Sequence, residues 1–192
     1  MSSLDAAERH RRHAGAFTKL VRGTRDWEAP APVEGWTARD VVGHLVEWFP
    51  GFLRGGSDVE LPAGPSVAED PVGAWEAQCD AVQALLDDPG TPTRDFTNRH
   101  TGDLPLDQAV DRFYTADVFM HSWDLARASD QDFALDEDFA AELLEGARPM
   151  EQLMRDSGQY GPAVPVPDDA PVADQLVGFI GRDPQWQAPS QN

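Results

Sequence analysis

An acidic residue and a histidine stand four positions apart at Asp117 and His121. On an α-helix this spacing places both side chains on one face, with Cβ atoms about 6 Å apart. An imidazole and a carboxylate placed in this way can chelate a divalent ion such as zinc, nickel, iron or copper. The same pair also fits an ordinary Asp–His hydrogen bond between packed helices, so the spacing alone leaves both interpretations open.

A second histidine, His44, lies in an apolar segment upstream and is followed one turn later by Trp48. On its own such a histidine is typical of a packed core. Together with Asp117 and His121 it supplies a third donor from another helix, and helical bundles build metal sites from facing helices. Three protein ligands with one open position are typical of a catalytic zinc site. Periodicity alone does not show that the two helices face each other, so a metal site at His44, Asp117 and His121 stands at this point beside the interpretation of packed core residues.

The other reactive side chains carry weaker signals. His10 and His13 lie among arginines, which indicates polar contacts at the surface or between helices. His100 lies in an irregular stretch and is interpreted as a solvated loop residue, or as one that approaches the site from above. The single cysteine, Cys79, excludes a disulfide framework and a cysteine-based zinc site, and its apolar neighbours indicate a packed side chain.

Apolar periodicity, with Pro and Gly between the periodic segments, predicts the helices that position these residues. The predicted helices cover about 4–22, 37–55, 67–88, a segment from about 105, 136–156 and 172–180. Thr37 and Asp40 are typical of a capping box. The stretch 89–105 is predicted to be irregular, with a lid or a short strand. The pattern favours an all-α fold with one domain over 1–192, whose core bundle covers about 4–156 and whose Pro-rich tail and short helix cover 157–192.

Length and charge restrict the class of protein. A chain of 192 residues is long enough to bury a core, and its net charge of −19 argues against binding to nucleic acid or to an anionic membrane surface. There is no apolar run of membrane-spanning length and no apolar core of a signal peptide. A lone cysteine suits a reducing compartment, so we expect a cytoplasmic protein.

Two short motifs resemble a known superfamily. Residues 35–45 resemble the W-T-x-x-[DE]-x-x-x-H segment of DinB-like proteins, and residues 117–128 are similar to the H-x-W-D-L-A-R-A stretch of the branch related to mycothiol-dependent maleylpyruvate isomerases. Residues 161–167 and 181–186 resemble an actinobacterial subfamily of metal-binding proteins. The resemblance covers nearly the whole chain.

The resemblance implies a DinB-like four-helix up-down bundle, with an extra C-terminal helix, that binds one divalent metal ion through His44, Asp117 and His121. Zinc is the expected ion, with nickel or iron as alternatives, and Asp117 stands where those isomerases carry Glu. The resemblance also implies a homodimer and mycothiol as a small-molecule cofactor.

We expect a thiol-dependent transferase or isomerase of small electrophiles. The alternatives are a hydrolase that uses metal-bound water, or a non-catalytic, stress-related metal-binding bundle. No catalytic residue is assigned. Arg127 and Arg182 are expected either to anchor a carboxylate or to form structural ion pairs. The residues expected to contact substrate or cofactor are Trp48, Tyr114, Asp124 and Arg127.

Overall fold

Three long helices form the first half of the chain in the computed structural model, which describes residues 4–98, 102–156, 158 and 160–189. They are α1 (Ala6–Gly23), α2 (Ala38–Gly56) and α3 (Pro71–Asp87). Each begins after a side chain that accepts a hydrogen bond from an otherwise free N–H of the first turn. The predicted capping box is confirmed, since the Thr37 N–H donates to Asp40 Oδ2 (2.8 Å) and the Asp40 N–H donates to Thr37 Oγ1 (3.3 Å).

A β-hairpin occupies the stretch for which a lid or a short strand was expected. Strands β1 (Asp95–Asn98) and β2 (Gly102–Pro105) pair antiparallel, with Phe96 opposite Leu104. Phe96 is fully buried and stacks on Phe52 of α2 at 4.6 Å between ring centroids. His100 lies outside the described residues.

The helical run predicted from about residue 105 changes pitch along its length. It consists of α4 (Leu106–Ala109), a π-helical segment (Val110–Thr115) and α5 (Ala116–Ala128). The Ala116 N–H donates to the carbonyl of Asp111, five residues back. Such wide turns are rare in proteins, and those that occur are often found at functional sites. This one lies directly before Asp117.

The predicted helix over 136–156 is interrupted. Its parts are α6 (Glu137–Ala147), a 3₁₀ turn (Arg148–Met150) and α7 (Glu151–Asp156). Pro149 lacks an N–H and cannot continue the helical hydrogen-bond pattern, which accounts for the break. The predicted short C-terminal helix is confirmed as α8 (Val172–Phe179).

The long helices enclose the main core. Helix α1 packs on α3 and α5, and α2 packs on the same two helices. The largest side chains buried between them include Phe17, Phe49, Trp75 and Tyr114. His10 and His13 are also buried, so the alternative of a surface position for them is wrong. A second cluster joins α6 and α8 to the outer side of α5 through Phe119, Trp123, Leu144 and Leu176.

The protein is therefore mostly helical, with one small two-stranded sheet in the part of the chain that is described. Across those same residues, no helix is both long enough and apolar enough to cross a bilayer.

Candidate metal centre

The contact between α2 and α5 brings together the three residues predicted as ligands. His44 lies beside the buried face of α2, and Asp117 and His121 lie one turn apart on α5. His44 Nε2 is 3.0 Å from Asp117 Oδ2, and His121 Nε2 is 3.5 Å from Asp117 Oδ1. One ligand atom from each of the three lies within 4.8 Å of the others. That these atoms bind a metal ion stays a prediction.

Asp117 is the centre of this cluster. Besides the contact with His44, its Oδ2 accepts a hydrogen bond from the Trp48 indole N–H at 3.0 Å. Burial alone raises the pKa of this carboxyl, but the neighbouring His121 and the hydrogen bonds from His44 and Trp48 outweigh it, and the pKa lies below its usual value. Asp117 is therefore a fixed, ionised carboxylate that faces two imidazole rings.

A second carboxylate fixes the orientation of His121. The Nδ1–H of His121 donates to Asp124 Oδ2 at 2.8 Å, and the Asp124 side chain is completely buried. Arg182, from the segment after α8, donates to both oxygens of Asp124 at 3.2 and 3.3 Å. Burial raises the pKa of the Asp124 carboxyl, but the hydrogen bond from His121 and the positive charge of Arg182 together have a larger, opposite effect. The pKa of Asp124 therefore lies below its usual value, and the carboxyl is ionised.

The donor set fits a divalent cation. Because Nδ1 of His121 donates to Asp124, Nε2 is the ring nitrogen that faces the Asp117 carboxylate, 3.5 Å away. An imidazole nitrogen and a carboxylate oxygen are ligand types that suit a divalent cation. Ligand atoms about 2.0–2.2 Å from a tetrahedral ion lie roughly 3.3–3.6 Å apart. The 3.5 Å between His121 Nε2 and Asp117 Oδ1 agrees with this spacing, and the three ligand atoms lie within 4.8 Å of one another. A carboxylate behind a ligating histidine is the usual support of such a ring.

Two indoles form the walls of the cluster. Trp36 stacks on His121 with 5.7 Å between ring centroids and lies 5.2 Å from the His44 ring. Trp48 lies 6.1 Å from the His44 ring on the other side. A third of the His44 side chain remains exposed, so the cluster is accessible from solvent on this side.

Trp36 was not predicted as a site residue. It lies outside the helices, in a turn that contains Gly35 at φ 77° and in which the Trp36 N–H donates to the Val33 carbonyl at 3.0 Å. The one signal for it was its place in the motif that runs from residue 35 to His44.

The four residues expected to contact substrate or cofactor lie in different surroundings. Trp48 contacts Asp117, and Asp124 is enclosed between His121 and Arg182. Tyr114 is fully buried, stacks on Phe49 at 3.9 Å, and its hydroxyl accepts a hydrogen bond from the Gln78 side-chain amide. Arg127 is exposed, with its guanidinium 5.4 Å from the Trp123 ring centroid. Contact of any of the four with a substrate stays a prediction.

Comparison with known proteins agrees with the resemblance seen in the motifs. Residues 8–126, which include the three candidate ligands, match the family model described as mycothiol maleylpyruvate isomerase N-terminal domain. Two proteins of Mycobacterium tuberculosis, from strains CDC 1551 / Oshkosh and ATCC 25618 / H37Rv and both described as uncharacterized, are each 30% identical over 188 residues. These matches cover 93% of this chain and 98% of each relative. No solved structure gives a significant match. The chain belongs to the mycothiol maleylpyruvate isomerase N-terminal domain family.

Proposed function

We propose that this protein binds one divalent metal ion through His44, Asp117 and His121 and uses a small thiol, mycothiol, as its cofactor in a transferase or isomerase reaction of small electrophiles. The observation that carries the proposal is the convergence of the three ligand atoms within 4.8 Å of one another. Zinc is the ion that this donor set favours, with nickel or iron as alternatives.

The side chains around the cluster prepare it for this role. Asp124 holds the His121 ring so that Nε2 faces Asp117, and the Trp48 N–H holds the Asp117 carboxylate toward both histidines. Trp36 lies against the His121 ring and Trp48 lies near the His44 ring, while a third of the His44 side chain remains exposed to solvent. When bound, a divalent ion would supply positive charge that favours the thiolate form of a thiol near neutral pH.

The reacting thiol must come from outside the chain. Cys79 is the single cysteine, and its sulfur contacts Thr18 Oγ1 at 3.9 Å between α1 and α3. Burial raises the pKa of the Cys79 thiol, which keeps it protonated and unreactive near neutral pH. An exogenous thiol is consistent with the family, whose described member acts with mycothiol.

We further propose that the chain is one domain, a DinB-like four-helix up-down bundle closed by the C-terminal segment. The packing of α1 and α2 on α3 and α5 supports the bundle. The hydrogen bonds from Arg182 to Asp124 support the inclusion of the tail in the same unit, because they attach the tail to the side chain that orients His121.

The first test is the metal content of untagged protein. We expect about one equivalent of zinc in the wild type and none in His121→Ala. His13→Ala is the matched control, because it removes a buried histidine outside the cluster. Equal metal in wild type and His121→Ala would exclude this site.

The second test separates the functional alternatives. Consumption of a small electrophile by the zinc-loaded protein is measured with and without mycothiol. Turnover that requires mycothiol supports the proposal. Turnover without it favours the hydrolase alternative, and its absence under both conditions favours a non-catalytic metal-binding role.

A further inference from the structure

A large apolar groove lies next to the candidate metal centre, between α5 and the helices α6 to α8. Its volume is about 710 Å³, within the range typical of small-molecule sites. Its lining is mainly aliphatic, aromatic and methionine side chains, of which Phe113, Met120, Leu143, Met150 and Leu153 are representative. Methionines adapt readily to ligands of different shape.

The groove runs along the flank of the ligand-bearing helix. Phe113, Ala116 and Met120 all line it. Because each helical residue is rotated by about 100°, Met120 lies roughly 60° around α5 from Asp117. The groove therefore begins on the strip of α5 next to the row formed by Asp117 and His121.

Tyr160 brings a hydroxyl group to the groove. It lines the groove, and burial together with the nearby Asp117 carboxylate raises the pKa of its hydroxyl to about 12. The hydroxyl therefore stays protonated across the physiological pH range. It is a hydrogen-bond donor beside the candidate metal centre, suited to a polar group at the head of a ligand.

Charged side chains also line the groove, and most of them are paired. Arg9 pairs with Asp111 at 3.4 Å and with Glu142 at 2.7 Å, and its guanidinium lies 4.7 Å from the Phe139 ring centroid. Asp111 Oδ1 is buried without a hydrogen-bond partner in the described part of the structure, so the groove can accept one hydrogen-bond donor of a ligand there.

We propose that this groove binds the largely apolar body of a small molecule whose polar, reactive head lies at Tyr160 beside Asp117. Binding in the groove is independent of the function proposed above. The assignment of its occupant as the electrophilic substrate rests on that proposed function and narrows it to electrophiles with a hydrocarbon body.

Gly146 offers a direct way to block the groove. It lines the groove from α6, and a Cβ built at this position meets open space. Gly15 on α1 also has open space at Cβ but does not line the groove. Gly146→Phe and its matched control Gly15→Phe both remove a helical glycine, a change that favours the helix.

The binding test titrates metal-free protein with N-phenyl-1-naphthylamine, an uncharged apolar dye that fluoresces when buried. We expect saturable binding to the wild type and to Gly15→Phe, and binding about tenfold or more weaker to Gly146→Phe. Thermal unfolding followed by circular dichroism checks that both variants are folded. Absence of saturable binding to the wild type, or equal binding to both variants, would overturn the proposal.

A kinetic test addresses the occupant. With mycothiol as thiol, 1-iodoalkanes from iodoethane to iodooctane are compared: a sulfur–carbon bond forms, iodide leaves with the carbon–iodine electron pair, and the thiol proton passes to solvent. We expect kcat/KM to rise by about fourfold per added methylene in the wild type and to stay flat in Gly146→Phe.

The results of the two tests distinguish failure of the groove proposal from failure of the proposed function. Dye binding that Gly146→Phe abolishes, without any thiol-dependent turnover, would keep the groove and contradict the proposed function. Turnover that ignores both chain length and Gly146→Phe would keep the function and contradict the substrate assignment.

Discussion

Two pairs of histidines lie inside this protein, and their neighbours differ in charge. His44 and His121 face each other at 4.9 Å between ring centroids, and both contact Asp117. His10 and His13 belong to α1, where His10 Nδ1 is 3.0 Å from Thr115 Oγ1. Among the described residues, neither His10 nor His13 is hydrogen-bonded to a carboxylate. One pair is thus supported by acids and the other by a hydroxyl and aromatic rings.

The surroundings of the α1 pair keep it uncharged. His13 stacks on Phe139 at 4.6 Å between ring centroids. Burial, aided by neighbouring positive groups, lowers the pKa of His10 to about 3 and that of His13 to about 4. The same residue type therefore serves packing in one region and belongs to the candidate metal centre in the other. The carboxylates decide between these roles.

The largest effect is expected from Asp117→Asn, which removes the carboxylate that distinguishes the two pairs. We expect the zinc affinity, measured by competition with a chromophoric chelator, to fall by about a hundredfold or more, because a direct ligand matters more than its support. Asp111→Asn is the matched control, since Asp111 lies in the same helical run but pairs with Arg9. Unchanged zinc affinity in Asp117→Asn would place the ion elsewhere.

Asp124→Asn tests the support of His121. We expect the zinc affinity to fall by about 10- to 100-fold, because the ring loses its charged partner. We also expect the free energy of unfolding of the metal-free protein to fall by about 3 kcal/mol, because Arg182 loses the carboxylate of a buried ion pair. A loss of stability with unchanged zinc affinity would show that Asp124 serves Arg182 alone.

The α1 pair should make stability depend on pH. The pKa of His10 is about 3 in the folded chain, against an ordinary value of 6.5 that applies once the chain unfolds. The unfolded chain therefore takes up the proton first as the pH falls, so stability present above pH 6.5 is lost below it. At pH 5 this loss is about 2 kcal/mol for His10. The measurement is urea unfolding at pH 7.5 and pH 5 with a chelator present. Between these two pH values, we expect the free energy of unfolding to fall by about 2 kcal/mol less in His10→Leu than in the wild type. An equal fall in the variant and the wild type would contradict this role of His10.

The smallest effect is expected from Thr115→Val, the counterpart of Asp124→Asn in the α1 pair. Loss of the hydrogen bond to His10 should lower the free energy of unfolding by about 1 kcal/mol and leave the zinc affinity within about twofold. The same unfolding and chelator measurements check it. A fall in zinc affinity comparable to that of Asp124→Asn would mean that the two pairs are coupled through α5.

The candidate ligands could be found from sequence because their signal is local. The spacing of Asp117 and His121 defines one helix face, and the capping box at Thr37 fixes where the helix of His44 begins. The motif resemblance then supplied what periodicity cannot, namely that the two helices face each other. The contact at 3.0 Å between His44 and Asp117 agrees with that expectation.

The remaining parts of the site depend on long-range packing. Arg182 reaches Asp124 from 58 residues away, so the path of the tail decides whether it pairs there or binds a substrate carboxylate. Trp36 reaches the histidine rings through a turn rather than a helix, where apolar periodicity carries no information. The hairpin was uncertain because four-residue strands are too short to show a convincing alternation.

The π-helical segment before Asp117 allows one helical run to pack apolar side chains in the core and to direct two polar side chains toward α2. Upstream, Leu106, Val110 and Tyr114 fill the core; downstream, Asp117 and His121 must point toward α2. The segment contains one residue more than regular α-helical turns would use. Compared with a regular α-helix of the same sequence, the residues beyond it are therefore rotated by about 100° around the helix axis. The segment thus sets the angle, around the helix axis, between the buried apolar side chains upstream and the side chains of Asp117 and His121 downstream. Regular α-helical pitch over the unchanged sequence would turn both donors away from His44, whereas removal of a single residue within 110–115 would restore regular pitch and leave both donors facing α2.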